Sequence, residues 1–308
     1  MNNNQSTSHI LMIRPVNFGF NEETAGSNAF QNRNAIKNDV NEKAQIEFDH
    51  MVGKLRENGV DVTVIDDTEE PHTPDSIFPN NWVSFHADGN IFLYPMQAEN
   101  RRLERREDII TQLEDEFAVK HIIDLSRFEN EDKFLEGTGS MVLDRPNKIA
   151  YACISPRTDR DVLNLFCEQA GYQSVSFDAV DQHGKAIYHT NVLMCMGSNF
   201  AVICMDSIPN PHEKVMVKES LLSTHKEIID ISFEQMNQFA GNMLEVKNKN
   251  GETLIVMSQN AYNALNVSQK AALQQFGKLI YADINTIENI GGGSARCMMA
   301  EVHLPVEK

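Results

Sequence analysis

The sequence predicts an α/β fold of five similar units arranged about a shared centre. Three observations lead there. An apolar strand pair, an amphipathic helix and a short strand recur in that order five times. Polar turns into the strand pairs fall at Asn81, Gly139, Asn191 and Asn242, spaced 58, 52 and 51 residues apart, and periods of that size mark propeller-like or arrayed folds. The last apolar segment, 295–303, would supply the strand that closes the first unit.

Each unit is justified by its own residues. In the first, strands at 9–15 and 60–66 flank a helix near 39–58, where Ile46, Met51, Val52 and Leu55 lie near one face. Asn58-Gly59 then stops that helix. The second unit takes 76–86 and 90–95 as strands around Asp88-Gly89, a hairpin signal, then a helix near 99–117 and a strand at 121–124. The third has strands at 139–144, 149–154 and 174–177 with a helix near 159–170. The fourth has strands at 188–196, 200–205 and 227–231 with a helix near 211–223. The fifth turns at Asn250-Gly251 between strands 241–246 and 253–258, then adds a helix near 268–277 and a strand at 279–283.

Composition narrows the function. The chain has 308 residues, 41% of them hydrophobic, enough for a sizeable core. With 27 Lys and Arg against 44 Asp and Glu the formal charge is −17. That balance argues against a general nucleic-acid binder and against an anionic membrane surface. No run of 18 apolar residues predicts a transmembrane helix, and the polar start lacks the order of a signal peptide. Residues 1–8 predict a disordered terminus, leaving 9–308 as a single domain. Five cysteines without a CxxC pair predict free thiols and a reducing, cytoplasmic setting. Four of them sit in apolar segments; Cys297 does not.

Three positions carry chemistry. Cys297 follows Gly291-Gly292-Gly293-Ser294-Ala295-Arg296, and three consecutive glycines mark an unusual backbone or a close approach to a ligand. His189 heads a strand that turns strongly apolar. Glu136 is wedged between apolar residues and a Gly-x-Gly turn. Taken singly, each has a plainer reading: a small buried thiol, a structural histidine, a carboxylate capping a turn. Each also lies at the entry of a corresponding strand in a different unit. If the units circle an axis, the three entries meet in one pocket, where a Cys nucleophile, a His acid/base and a carboxylate suffice for covalent catalysis.

These segments, with Asp75-Ser76-Ile77-Phe78, Asn80-Asn81-Trp82, His189-x-Asn191 and Gly241-Asn242-Met243-Leu244, resemble the guanidine-modifying superfamily. That group includes arginine deiminase, dimethylarginine dimethylaminohydrolase and the amidinotransferases. The resemblance spans nearly the whole chain in order. It implies the five-bladed α/β propeller called the pentein fold, with Cys297 as nucleophile, His189 as general acid/base and Glu136 as partner of substrate or His189. It implies no metal or organic cofactor.

Departures from the pattern bear on the substrate. Two aspartates that clamp a guanidinium in arginine deiminases are replaced here by Asn81 and Asn191. A guanidinium offers only donors and positive charge, and it suits carboxylates. A neutral ureido group adds a carbonyl acceptor, which an amide can satisfy. The pattern is most similar to the citrulline-utilisation hydrolases and implies conversion of citrulline to ornithine, carbon dioxide and ammonia. Asp75 is a second candidate partner for a guanidinium, which keeps arginine deiminase, methylarginine hydrolase and amidinotransferase activities open. A non-catalytic propeller that binds a partner, as one ribosome-associated member of the fold does, is the reading of another class.

Arg14, Arg157 and Arg160 are candidates for a substrate carboxylate, with surface ion pairs as the plainer reading. Arg296 beside the nucleophile is a site candidate through the resemblance, as is Asn242. The run Arg101–Glu107 predicts a solvated helix face with i,i+3 and i,i+4 pairs. Trp82 is either a pocket wall or packing against the neighbouring unit. Oligomeric state stays open, a homo-oligomer included.

Overall fold

The computed structural model describes residues 4–35 and 39–307. Five three-stranded sheets are built to one plan. In the first, β1 (His9–Arg14) and β2 (Asp61–Asp66) pair in parallel across helix α1 (Val40–Glu57). The second joins β3 (Val83–Phe85), β4 (Asn90–Leu93) and β5 (His121–Asp124). Its crossover is broken into α2 (Glu99–Arg102) and α3 (Glu107–Glu114), where a single helix was expected.

The third unit starts with α4 (Gly137–Ser140), then β6 (Val142–Asp144), β7 (Ile149–Cys153), α5 (Arg160–Ala170) and β8 (Gln173–Phe177). The fourth has α6 (Thr190–Leu193), β9 (Met194–Met196), β10 (Phe200–Ile203), α7 (Pro211–Ser223) and β11 (Glu227–Asp230). After α8 (Phe233–Met236) the fifth follows with β12 (Leu244–Lys247), β13 (Thr253–Ser258), α9 (Gln259–Ala264), α10 (Val267–Phe276) and β14 (Lys278–Ala282). Helix α11 (Asn285–Gly291) leads to β15 (Ala300–Glu301), which pairs antiparallel with β1 and completes the first sheet as expected.

Every central strand has one antiparallel and one parallel neighbour. The antiparallel partner is reached by a hairpin in four sheets, and the parallel one needs a helical crossover. Central strands are apolar on both faces because both faces are covered. In β1, Ile10 and Met12 join the cluster shared with the fifth sheet, whereas Leu11 and Ile13 join that shared with the second. In β7, Ala150 and Ala152 face the second sheet's Phe92, and Tyr151 and Cys153 pack with the fourth. In β13, Ile255 and Met257 pack with the fourth sheet, and Leu254 and Val256 with the first. The strand period of two thus links the sheets in a cycle.

Three details differ from the sequence reading, and the place of Trp82 selects between its two alternatives. Ile46 is 62% exposed, and the buried stripe of α1 runs through Ala44, Phe48, Met51, Val52 and Leu55. Residues 4–8 are not loose: Gln5 and Ser6 are buried, Gln5 bonds Leu143 O and Arg145 N at 2.9 Å each, and Ser6 donates to Glu245 at 2.9 Å. Composition predicts disorder there because polar side chains bury no apolar surface, but here they satisfy backbone groups at the strand ends. Residues 1–3 lie outside the described residues. Trp82 is buried in the cluster between the first and second sheets. The expected strand entries are short helical turns: Pro79–Asn81, α4 and α6. Turn α4 packs on both of the others, so three units converge at that point. Among the described residues no helix is long and apolar enough to cross a membrane.

Candidate active site

The turns place the predicted residues. Glu136 immediately precedes α4, and His189 immediately precedes α6. Gly137 has a φ of +48°, and a Cβ there would lie 2.3 Å from Asn80 O. Only glycine gives this close crossing of second-unit and third-unit backbones. Glu136 is fully buried, and its Oε1 accepts the Gln97 N–H at 3.0 Å. Its Oε2 lies 2.8 Å from His189 Nε2 and 3.5 Å from Arg157 Nη1.

Glu136 is held ionised and His189 neutral. Burial pushes the Glu136 carboxyl up, but Arg157 and His189 outweigh it and keep the group well below the usual carboxylate range. Burial pushes the His189 imidazole down to about 4, against the bond and charge of Glu136. A neutral ring donates from Nε2 to Glu136 and leaves Nδ1 as the base. That nitrogen lies over Gly139, where a Cβ would come within 2.8 Å of it and within 2.4 Å of Asn81 Nδ2.

Cys297 comes from the other side of the site. The glycine run that leads to it packs tightly, with Cβ positions on Gly291 and Gly293 falling 2.9 and 2.8 Å from the Phe78 ring. The sulfur receives the Asn191 Nδ2–H at 3.3 Å and the Asn242 Nδ2–H at 3.4 Å. Asn242 Oδ1 in turn accepts the Arg296 backbone N–H at 2.9 Å, which ties the Cys297 loop to the fifth unit. Cys297, His189, Asn81, Asp75, Arg157 and Tyr188 line one small cavity.

Several expected roles change. Arg296 does not face the cavity: its Nη2 bonds Glu301 at 2.8 Å and its Nη1 bonds Met299 O at 2.9 Å, both buried. Arg14 lies outside the cavity in a solvent-exposed pair with Asp49, both contacts 2.8 Å. Arg160 bonds Ser176 at an exposed position. Asn191 sits behind the sulfur and does not line the cavity. Arg157 is drawn in: it is buried, donates to Ser27 Oγ at 2.6 Å, and its guanidinium lies 4.9 Å from the Tyr188 ring centroid.

Arg101 is the main residue that sequence reasoning missed. It is buried, lines the cavity, and donates to Asn81 Oδ1 at 2.9 Å. Its i,i+3 partner Glu104, expected on a solvated face, is buried with it. The second missed feature is the long connection from β1 to α1. There Asn21 donates to Asp75 Oδ2 at 2.8 Å, Thr24 O accepts Arg157 Nη2 at 3.3 Å, and Asn28 donates to Gly291 O at 3.2 Å. Its length was the available signal, since connections that long are usually functional. Among the described residues no group of three or more His, Cys, Asp or Glu is placed to hold a metal ion.

The sequence pattern of the family described as N,N dimethylarginine dimethylhydrolase, eukaryotic, matches residues 14–304. The chain belongs to this family. It is therefore a hydrolase of C–N bonds other than peptide bonds, within the guanidino-modifying superfamily that the sequence resembles. The N-terminal domain of ArgZ, an arginine dihydrolase from the ornithine-ammonia cycle in Cyanobacteria, has a similar fold. It is 17% identical with a TM-score of 0.75, over 96% of this chain and 98% of that one, and was captured covalently bound to a reaction intermediate. Unliganded AgrE is 16% identical with a TM-score of 0.76, over 97% of this chain but 40% of AgrE. A cysteine-to-serine variant of DDAH from Pseudomonas aeruginosa in complex with citrulline is 16% identical with a TM-score of 0.67, over 96% of this chain and 99% of that one. At these identities the likeness concerns the mixed α/β pentein fold. No curated protein matches the chain significantly.

Proposed function

We propose that this member of the family hydrolyses a ureido amino acid, converting citrulline to ornithine, carbon dioxide and ammonia. The observation that carries this reading is the polarity of Asn81. Arg101 only donates, so the amide oxygen must face it. The Asn81 Nδ2 is left buried without a partner on a residue that lines the cavity. An unpaired buried donor calls for an acceptor. A ureido carbonyl is one, and a guanidinium has none.

In the proposed reaction the Cys297 sulfur attacks the ureido carbon, and the Asn81 amide holds the carbonyl oxygen as charge develops on it. The C–N bond breaks as a proton passes to the departing nitrogen, which is ammonia or the ornithine side-chain amine. His189 Nδ1 takes this proton from the Cys297 thiol, passes it to the departing nitrogen, then takes one from the water that attacks the thioester and returns it to the sulfur. With ornithine leaving first, the carbamoyl thioester releases carbamate, which breaks down to carbon dioxide and ammonia. Glu136 holds the His189 tautomer. Asp75 Oδ1, buried and unpartnered on a residue that lines the cavity, accepts a substrate N–H group. Arg157 faces the substrate carboxylate. We read the five sheets as blades of one propeller about this cavity, and the five free cysteines support a reducing, cytoplasmic setting.

The unpartnered carboxylate oxygen of Asp75 favours a second reading, in which arginine or a methylated arginine is the substrate. Incubating the purified protein with citrulline or arginine and quantifying ornithine, citrulline and ammonia separates the two. Ornithine from citrulline, with little turnover of arginine, is the expected result. Citrulline formed from arginine would overturn the ureido reading and keep the nucleophile. Near wild-type turnover by Cys297→Ala would overturn both.

A further inference from the structure

We propose that Glu104, acting through Arg101, fixes which end of the Asn81 amide faces the cavity and so selects ureido over guanidino substrates. This rests on the citrulline reading given above. Glu104 does not line the cavity. It grips Arg101 from behind through two parallel bonds, Nε to Oε1 at 2.8 Å and Nη2 to Oε2 at 2.9 Å. Paired forks of this kind fix the plane of a guanidinium as well as its place. The Nη1 that remains is directed at Asn81 Oδ1 at 2.9 Å.

The alternative acceptors stand close by. Asp75 Oδ2 is 3.8 Å from Arg101 Nε, and Glu136 Oε2 is 3.9 Å from Nη1, both beyond hydrogen-bond reach. Without the Glu104 grip they are the carboxylates to which Arg101 would turn. Asn81 would then lose the donor that holds its oxygen, and its amide would be free to rotate by half a turn. The reversed amide presents an acceptor to the cavity, which matches the N–H groups of a guanidinium and clashes with a ureido carbonyl. The break in the helix between α2 and α3 follows from the same arrangement, because Arg101 and Glu104 both turn inward there. Glu104 is a positioning residue in this scheme, and Asn81 is the group that touches substrate.

A double-mutant cycle tests the relay. Citrulline and arginine kinetics are measured for the wild type, Glu104→Gln, Asn81→Ala and the double variant, with thermal unfolding to confirm that each is folded. Glu104→Gln is expected to lower kcat/KM for citrulline by about ten- to a hundredfold, the range of one charge-assisted hydrogen bond misplaced. It also narrows the preference over arginine. In the Asn81→Ala background the same substitution should change kcat/KM by less than about threefold, since the residue through which it acts is gone. Equal losses in both backgrounds would overturn the relay and leave the ureido reading standing. A wild type that prefers arginine would overturn that reading, and the relay with it. Should Glu104→Gln not fold, Glu104→Asp keeps the charge, shortens the reach to Arg101 and enters the same cycle with the same expected signs.

Discussion

A single missing atom sets the spacing at the centre of this site. Gly139 leaves room for both Asn81 Nδ2 and His189 Nδ1, and a methyl group would press on each. Gly139→Ala should therefore lower kcat/KM about a hundredfold or more, because displacements of an ångström at reacting groups have effects of that size. Steady-state kinetics on folded protein check it. Asn81→Asp combined with Asn191→Asp should shift the preference from citrulline toward arginine, measured as the ratio of their kcat/KM values. An unchanged ratio would show that these two amides do not set the preference. Cys297 and Glu136 stood out in the sequence because glycine turns flag them, and His189 because it heads a strand that turns strongly apolar. Arg101 was not. Its neighbours Arg102, Glu104, Arg105 and Arg106 are all charged, and no periodicity tells a buried guanidinium from a solvated one when the burial comes from a distant turn.

At the scale of elements, strand pairs and their turns were legible, whereas the helical turns ahead of β3, β6 and β9 were not. Those turns contain Asn81, Gly139 and Asn191, polar or flexible residues whose conformation is set by neighbouring units rather than by local propensity. The break between α2 and α3 escaped prediction for the same reason. Caps follow local chemistry more faithfully. Asp159 precedes α5 and accepts the Asp161 and Val162 N–H groups. Asp159→Ala should destabilise the protein by about 1 kcal/mol, read from the shift in urea midpoint at constant m-value. Activity should be retained in native buffer.

The whole molecule is a cycle of sheets, and the repeated order of elements announced it. What the repeat did not announce is the polar filling. Glu301 bonds Arg296 at 2.8 Å and lies 3.6 Å from Arg145, with the largely covered His303 side chain 3.4 Å from its Oε1. Burial, with Arg145 adding to it, pushes the His303 imidazole down to about 4 although Glu301 opposes the shift. A group whose pKa is lower folded than unfolded stabilises the fold fully above the unfolded value of 6.5, and that stabilisation is lost as pH falls through the folded value. Relative to His303→Asn, the wild type should lose up to about 3 kcal/mol between pH 6.5 and 4. Denaturant unfolding of the pair across that range checks it. No difference in slope would show that His303 is already charged.

One consequence of the cycle concerns synthesis. Sheets two to five draw their strands from consecutive stretches of chain, but the first waits for β15, which pairs with β1 from the far end. A growing chain can assemble four sheets and most of the fifth-to-first packing while β1 still shows a bare antiparallel edge. Cys297 lies three residues ahead of the strand that covers that edge. Protection from misassociation and the arrival of the proposed nucleophile thus fall within the same few codons, so a nascent chain gains that sulfur only as the strand that covers β1 is made.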